Sequence, residues 1–239
     1  GRRTSTVDPR GNIAGANIAD FTTTFSYDAF GDQVSVTDPL GRTTTYGYDP
    51  DRNLVAVTLA TGQTTTSEYD ADNEVIKVIN PDGTFTAYGY DGDGRKTLVS
   101  DSAGHSTSYT YDALGNVVTM TDPTGATTTN SYDNASQLVS LTTPNGGVTT
   151  NTYDAAGQLV KTTSPTGGVT VMSYDPDGRE ASITDPDGNT TAFAYNSLGQ
   201  QTTTTRAGDT ATTNSFDLAG DLLSYTDAAA LLHARQAPR

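Results

Sequence analysis

Tyr111-Asp-Ala-Leu-Gly-Asn-Val-Val-Thr-Met-Thr-Asp-Pro-Thr-Gly125, continuing as Ala126-Thr-Thr-Thr-Asn-Ser-Tyr132, is the stretch that decides the fold. Asp112 to Gly115 is a turn signal, and Asn116 to Thr121 is rich in β-formers. Asp122-Pro-Thr-Gly125 fits a type I turn, with Asp first, Pro second and Gly fourth. Ala126 to Tyr132 is a second strand. The stretch reads as turn, strand, turn and strand of four, six, four and seven residues. Strands joined this tightly pair antiparallel.

The same pattern runs outward in both directions. The dipeptide recurs as Tyr27 and Asp28, Tyr48 and Asp49, Tyr69 and Asp70, Tyr90 and Asp91, Tyr111 and Asp112, Tyr132 and Asp133, Tyr153 and Asp154, and Tyr174 and Asp175. Tyr195-Asn196 and Phe216-Asp217 follow in phase, and every step is 21 residues. A threonine holds one phase from Thr44 to Thr212, and a glycine holds another in eight units, from Gly41 through Gly125 to Gly188. A second glycine, four residues after the tyrosine, is kept in seven units, among them Gly31, Gly94 and Gly115. A fixed period of this length is the mark of a repeat architecture.

Two-residue alternation assigns the faces. Val34 and Val36, Val55 and Val57, and Ile76 and Val78 share one face of the first strands, with polar residues such as Ser35 and Lys77 between them. Thr44, Tyr46 and Tyr48 share a face of the second strand, as do Thr191, Phe193 and Tyr195. Helix signals are nearly absent. The expected fold is all-β: tandem hairpins in a curled or spiral antiparallel strip. About 20 strands at roughly 4.8 Å spacing span roughly 95 Å, a width at which sheets twist and curl. Residues 1–19 read as a degenerate unit at an N-terminal edge, with Val7 to Asn12 one residue out of phase. Residues 20–226 are the array of ten units, and 227–239 form an off-pattern tail that is either the start of a helix or foreign to the array.

Composition narrows function. Hydrophobic residues make up 33% of the chain, too few to fill a thick core, and there is no cysteine for a disulfide or thiolate metal site. A net charge of −15 repels nucleic acid and anionic membrane surfaces. No apolar run reaches membrane-spanning length. The start, Gly1-Arg2-Arg3-Thr4, is neither an initiating methionine nor a signal peptide, and the chain reads as an internal fragment.

Candidate chemistry is sparse. His105 follows a turn and His233 lies in the tail; both read as surface residues. Asp-x-Asp pairs such as Asp70 and Asp72, Asp91 and Asp93, and Asp175 and Asp177 offer oxygens for calcium, without the full spacing of known calcium loops. Carboxylates repeated in every unit are turn furniture, not the single positioned pair of a glycosidase. The tyrosine rows suit sugar stacking or, more simply, hairpin packing. No enzyme, cofactor or metal site is expected.

Tyr-Asp-x-x-Gly-Asn, a short apolar strand, Asp-Pro-x-Gly and a Thr-rich strand together resemble the RHS/YD-repeat family, over roughly residues 20–226. The resemblance implies hairpins wound as a spiral sheet into a hollow shell. It implies a large secreted or cell-surface bacterial protein whose shell encloses a toxic C-terminal domain. Teneurins, distant animal relatives, imply the alternative of a cell-surface adhesion module binding carbohydrate or protein. Partners implied are the rest of the parent chain, its cargo domain and glycans. The core segment that closes such shells is not seen here; Asp38-Pro-Leu-Gly41 sits in ordinary turn phase.

Overall fold

A computed structural model describes residues 2–13, 15, 17–227 and 232–234. Among them, regular structure is β-strand throughout, apart from 3-10 turns at Pro9–Asn12 and Ile18–Phe21. The chain divides into two compact units, one of residues 1–110 with 120–125, the other of 111–119 with 126–239.

In the first unit, strands from Ser5–Val7 and Thr22–Tyr27 onward each pair antiparallel with the next along the chain. In the second, the same holds from Thr127–Tyr132 to Leu232–Ala234. The all-β hairpin expectation is met: two short strands per repeat, joined by alternating tight turns.

The two turns differ in register. Across the Asp-Pro turns the ladder is straight, as in Val36 opposite Thr44 and Thr37 opposite Thr43. Across the Tyr-Asp turns it shifts: Thr152 faces Lys161 but Tyr153 faces Leu159, leaving Val160 as a one-residue bulge. The same shift sets Val34 out of the ladder between Gln33 and Ser35. A bulge interrupts alternation, so strict period-two reading of Val34 and Val36 does not hold at the strand's start.

The strands also begin one residue later than expected. Asn116 belongs to the turn, because its amide donates to the Asp112 carboxylate at 2.9 Å and its carbonyl accepts from the Asp112 amide at 3.0 Å. The first strand of this repeat is therefore Val117–Thr121.

Among the described residues no hydrophobic side chain is fully buried. Val36, Val57 and Val78 are half-covered by their neighbours. Stability is spread over many cross-strand pairs, each contributing about 0.2–1 kcal/mol. Hydroxyl pairs link strands at Thr37 and Thr43 (2.8 Å), Thr58 and Thr64 (2.9 Å), and Ser173 and Ser182 (2.7 Å).

The ends depart from the regular pattern. At the N-terminal end, Pro9–Asn12 is a 3-10 turn, with the Gly11 amide on the Asp8 carbonyl at 2.8 Å. No strand follows it directly; the chain passes through the second 3-10 turn, and Ser5–Val7 pairs with Thr22–Tyr27. At the far end, Leu232–Ala234 is a strand against Leu222–Thr226, not the start of a helix. The rest of the tail, residues 228–231 and 235–239, lies outside the described residues.

Candidate interaction surface on the Tyr-Asp turns

Each Tyr-Asp turn is a five-residue loop organised by its aspartate. In the turn from Asp154 to Gln158, the Gly157 amide donates to the Asp154 carbonyl (3.0 Å) and the Asp154 amide to the Gln158 carbonyl (2.9 Å). One oxygen of the Asp154 carboxylate accepts from the amides of Ala156 and Gln158, both at 2.9 Å. Aspartate is suited to this because its short side chain reaches its own backbone two and four residues on. Where Asn196 replaces it, the amide oxygen accepts from Leu198 and Gln200 at 3.0 Å each.

The fourth turn residue adopts positive φ, the left-handed conformation that closes this tight turn. Gly157 sits at φ 83°. Three repeats hold the same conformation without glycine: Arg52 at 71°, Asn73 at 63° and Ser136 at 61°.

The signature tyrosines tie one hairpin to the one before it. Four of the hydroxyls donate to a backbone carbonyl fifteen residues earlier: Tyr48 to Gln33 (3.0 Å), Tyr69 to Leu54 (3.1 Å), Tyr90 to Val75 (2.8 Å) and Tyr174 to Leu159 (2.9 Å). Tyr132, Tyr153 and Tyr195 do the same, to Val117, Leu138 and Glu180. Tyr27 instead reaches the carbonyl of Arg3 at 2.8 Å. Phe216 has no hydroxyl, and there Asn214 donates to Gln201 at 3.1 Å. Hydroxyls spent in this way favour the architectural role of the tyrosine rows over sugar stacking.

The fifth turn residue reaches sideways to the fourth residue of the next turn. Asp32 holds Arg52 through two bonds of 2.7 and 2.6 Å. Asn53 donates to Asn73 at 2.6 Å, and Asn116 to Ser136 at 3.1 Å. Gln137, Gln158 and Gln200 donate to the backbone carbonyls of Gly157 (3.0 Å), Gly178 (3.1 Å) and Gly220 (3.1 Å). A row of straps thus runs along this edge within each unit. Nothing in our reading of the sequence pointed to it, because its contacts join residues 20 apart.

Electrostatics follow the turns. A hydrogen bond from Arg179 holds the Asp175 carboxyl below the usual aspartate range, and Arg179 also meets Asp177 at 2.7 Å. Glu74 is pushed the other way, by partial burial first and then by Asp70, Asp72 and Asp91. The Asp-x-Asp pairs are absorbed locally: the Asp70, Asp91 and Asp175 carboxylates accept from the amides of Asp72, Asp93 and Asp177, each at 3.0 Å. No group of three acidic or imidazole side chains among the described residues converges as a metal site would.

Elsewhere, His105 is an exposed turn residue whose Nδ1 lies 2.9 Å from Asp101. Only the backbone of His233 is described. An open recess of about 710 Å³ lies beside Asp8, Arg10, Asp38 and Arg42. Both of its arginines are engaged by those aspartates, at 2.9 and 2.6 Å. Asp38 itself accepts from the Leu40 and Arg42 amides, at 2.9 and 3.0 Å, as a turn residue.

The molecule is therefore a tandem β-hairpin repeat protein whose turn edges are stitched from one repeat to the next. The sequence profile of the RHS Repeat family matches residues 27–65, 69–105, 97–127, 132–169 and 174–212, and the chain belongs to that family. A search of curated protein sequences finds no match. The fold is similar to part of the Photorhabdus luminescens Tc holotoxin pore, with a TM-score of 0.54 and 18% identity over 85% of this chain and 13% of that one. It is also similar to TcdB2-TccC3 without its hypervariable C-terminal region, with a TM-score of 0.51 and 15% identity over 90% of this chain and 16% of that one. The chain thus spans only a small part of the length of these proteins.

Proposed function

We propose that this chain is a wall segment of a large RHS-type protein that encloses or presents a C-terminal effector domain. The observation that carries this is the unbroken 21-residue hairpin array matched by the family profile. The mechanism is exclusion. Paired strands satisfy their own backbone groups, and the straps and tyrosine bonds close the joints between hairpins. A net charge of −15 adds repulsion toward anionic molecules. The solved relatives support the reading, since one of them is described by the removal of a hypervariable C-terminal region. On this reading the parent protein is secreted or displayed at the cell surface, its partners are its own flanking chain and cargo, and the wall itself performs no chemistry.

The test is to sequence the reading frame on both sides of this segment. Further Tyr-Asp units followed by a closing segment and an unrelated small domain are expected. Lectin-like neighbours with no terminal cargo would overturn the reading, as would saturable binding of this segment on a glycan array.

A further inference from the structure

The straps carry more than mechanical linkage, because strap length and the residue opposite it match throughout the array. Where the fourth turn residue has a side chain, the strap reaching it is short: Asp32 meets Arg52, Asn53 meets Asn73, and Asn116 meets Ser136. Where the fourth residue is glycine, the strap is long. Gln137, Gln158 and Gln200 face Gly157, Gly178 and Gly220. Glu74 and Arg179 face Gly94 and Gly199. Arg95 and Gly115 keep the same order in sequence.

The N-terminal end follows the same logic with a residue from outside the array. Arg2 bonds the Phe30 carbonyl at 3.0 Å, and a Cβ on Gly31 would overlap its guanidinium. It also stacks over Tyr27 at 5.8 Å, as the strap residue Arg179 stacks over Tyr195 at 4.9 Å.

Space adds to backbone conformation at Gly94, Gly157, Gly178 and Gly220, where a Cβ would press on the end of the strap, but not at Gly199, where Arg179 lies at an ordinary 3.8 Å. A Cβ on Gly157 would lie 3.0 Å from the Gln137 amide nitrogen, and one on Gly94 would lie 2.8 Å from a Glu74 oxygen. The Asp-Pro turns provide the contrast. Gly125 has the same positive φ, yet a Cβ there meets nothing within 4 Å.

We propose that the Tyr-Asp turn edge is a recognition surface for the following repeat, on which strap length and the facing residue form a neighbour-selecting code. The partner it fits is another Tyr-Asp repeat whose fourth turn residue has the complementary size. The code has work to do because all units share one period and one strand pattern, so pairing that skips a unit keeps the same register. Skipping one unit sets Asn53 against Gly94 and Asn116 against Gly157, leaving gaps, and sets Arg95 against Ser136, which crowds the joint. Asp32 against Asn73 and Glu74 against Gly115 would stay matched, and the units from Gln137 onward carry one uniform combination, so the discrimination lies at Asn53, Arg95 and Asn116.

A pair of double-mutant cycles in the full chain tests this, read by amide hydrogen exchange at the affected turn and by the urea midpoint. Gln137→Asn shortens one strap, and Gly157→Asn fills the space which that same strap occupies. Asn tolerates positive φ, as Asn73 shows at 63°. Each single change is expected to raise local opening by about fivefold, the equivalent of one net hydrogen bond. The double variant recreates the Asn53 and Asn73 combination and is expected to restore most of the loss. The reverse cycle, Asp32→Gln with Arg52→Gly, recreates the Gln137 and Gly157 combination and is expected to behave alike. Additive losses in both cycles, or single variants without effect, would overturn the code while leaving the wall function untouched.

Discussion

Tyr69 donates its hydroxyl to the backbone carbonyl of Leu54, 3.1 Å away and fifteen residues earlier. Leu54 pairs with Tyr48 on one side, but on the other side the ladder to Thr64–Tyr69 stops at Ala56. The phenol thus supplies a bond where strand pairing has ended. This explains why the position is Tyr, when Phe would serve for packing alone.

Tyr69→Phe should therefore cost about 1 kcal/mol, the net value of a lost hydrogen bond. Tyr153→Phe should cost less, because Asn151 also donates to the Leu138 carbonyl, at 3.0 Å. Phe216→Tyr should stabilise. Urea denaturation of the three variants checks the order, and equal losses for Tyr69→Phe and Tyr153→Phe would contradict it.

The two edges should respond differently to a methyl group. Gly125→Ala meets open space and should cost only the backbone penalty of about 1–2 kcal/mol for an L-residue at positive φ. Gly157→Ala carries the same penalty and also displaces Gln137. It should be the worse of the two by thermal midpoint, and a reversed order would remove the role assigned to the straps.

At the first turn residue, the oxygen that accepts the two amides matters more than the charge. Asp154→Asn should be tolerated, since Asn196 makes the same bonds naturally. Asp154→Ala leaves the Ala156 and Gln158 amides without that acceptor and should speed exchange at both. Equal behaviour of the Asn and Ala variants would refute this.

The pH dependence has two opposing parts. The Asp175 carboxyl is held below its ordinary value of 3.8, so its contribution is present above that value and is lost as pH falls through the lower folded-state value. Glu74 is raised above 4.5, so its folded state is favoured below that value, and the benefit is lost as pH rises through the higher folded-state value. Glu74→Gln should thus raise the thermal midpoint at pH 7, and the advantage should vanish near pH 3. Asp175→Asn should lower the midpoint at pH 7, and the deficit should shrink as pH falls below 3.8. Melting curves across that range decide both signs.

Most of the strand and turn pattern is legible in local sequence. Asp122-Pro-Thr-Gly125 states its turn through residue types with fixed backbone preferences. The Tyr-Asp turn at Asp49 is less plain, because Arg52 occupies a position that normally asks for glycine. Its positive φ of 71° is held in a setting where Asp32 grips the guanidinium. That grip joins neighbouring hairpins and leaves no signature within either turn. The bulge at Val160 was hidden for a similar reason: it is a property of two strands in register, not of one.

Sequence alone determined the period, the antiparallel hairpins and the family, because each rests on residue preferences repeated every 21 positions. The tertiary structure decided what the repeated residues do. Tyrosine hydroxyls meet carbonyls fifteen residues away, and straps meet turns 20 residues away, only once hairpins lie side by side. The match between strap length and facing residue was written in the chain throughout. It becomes readable only when the lateral distance between turns shows which two positions must share one space.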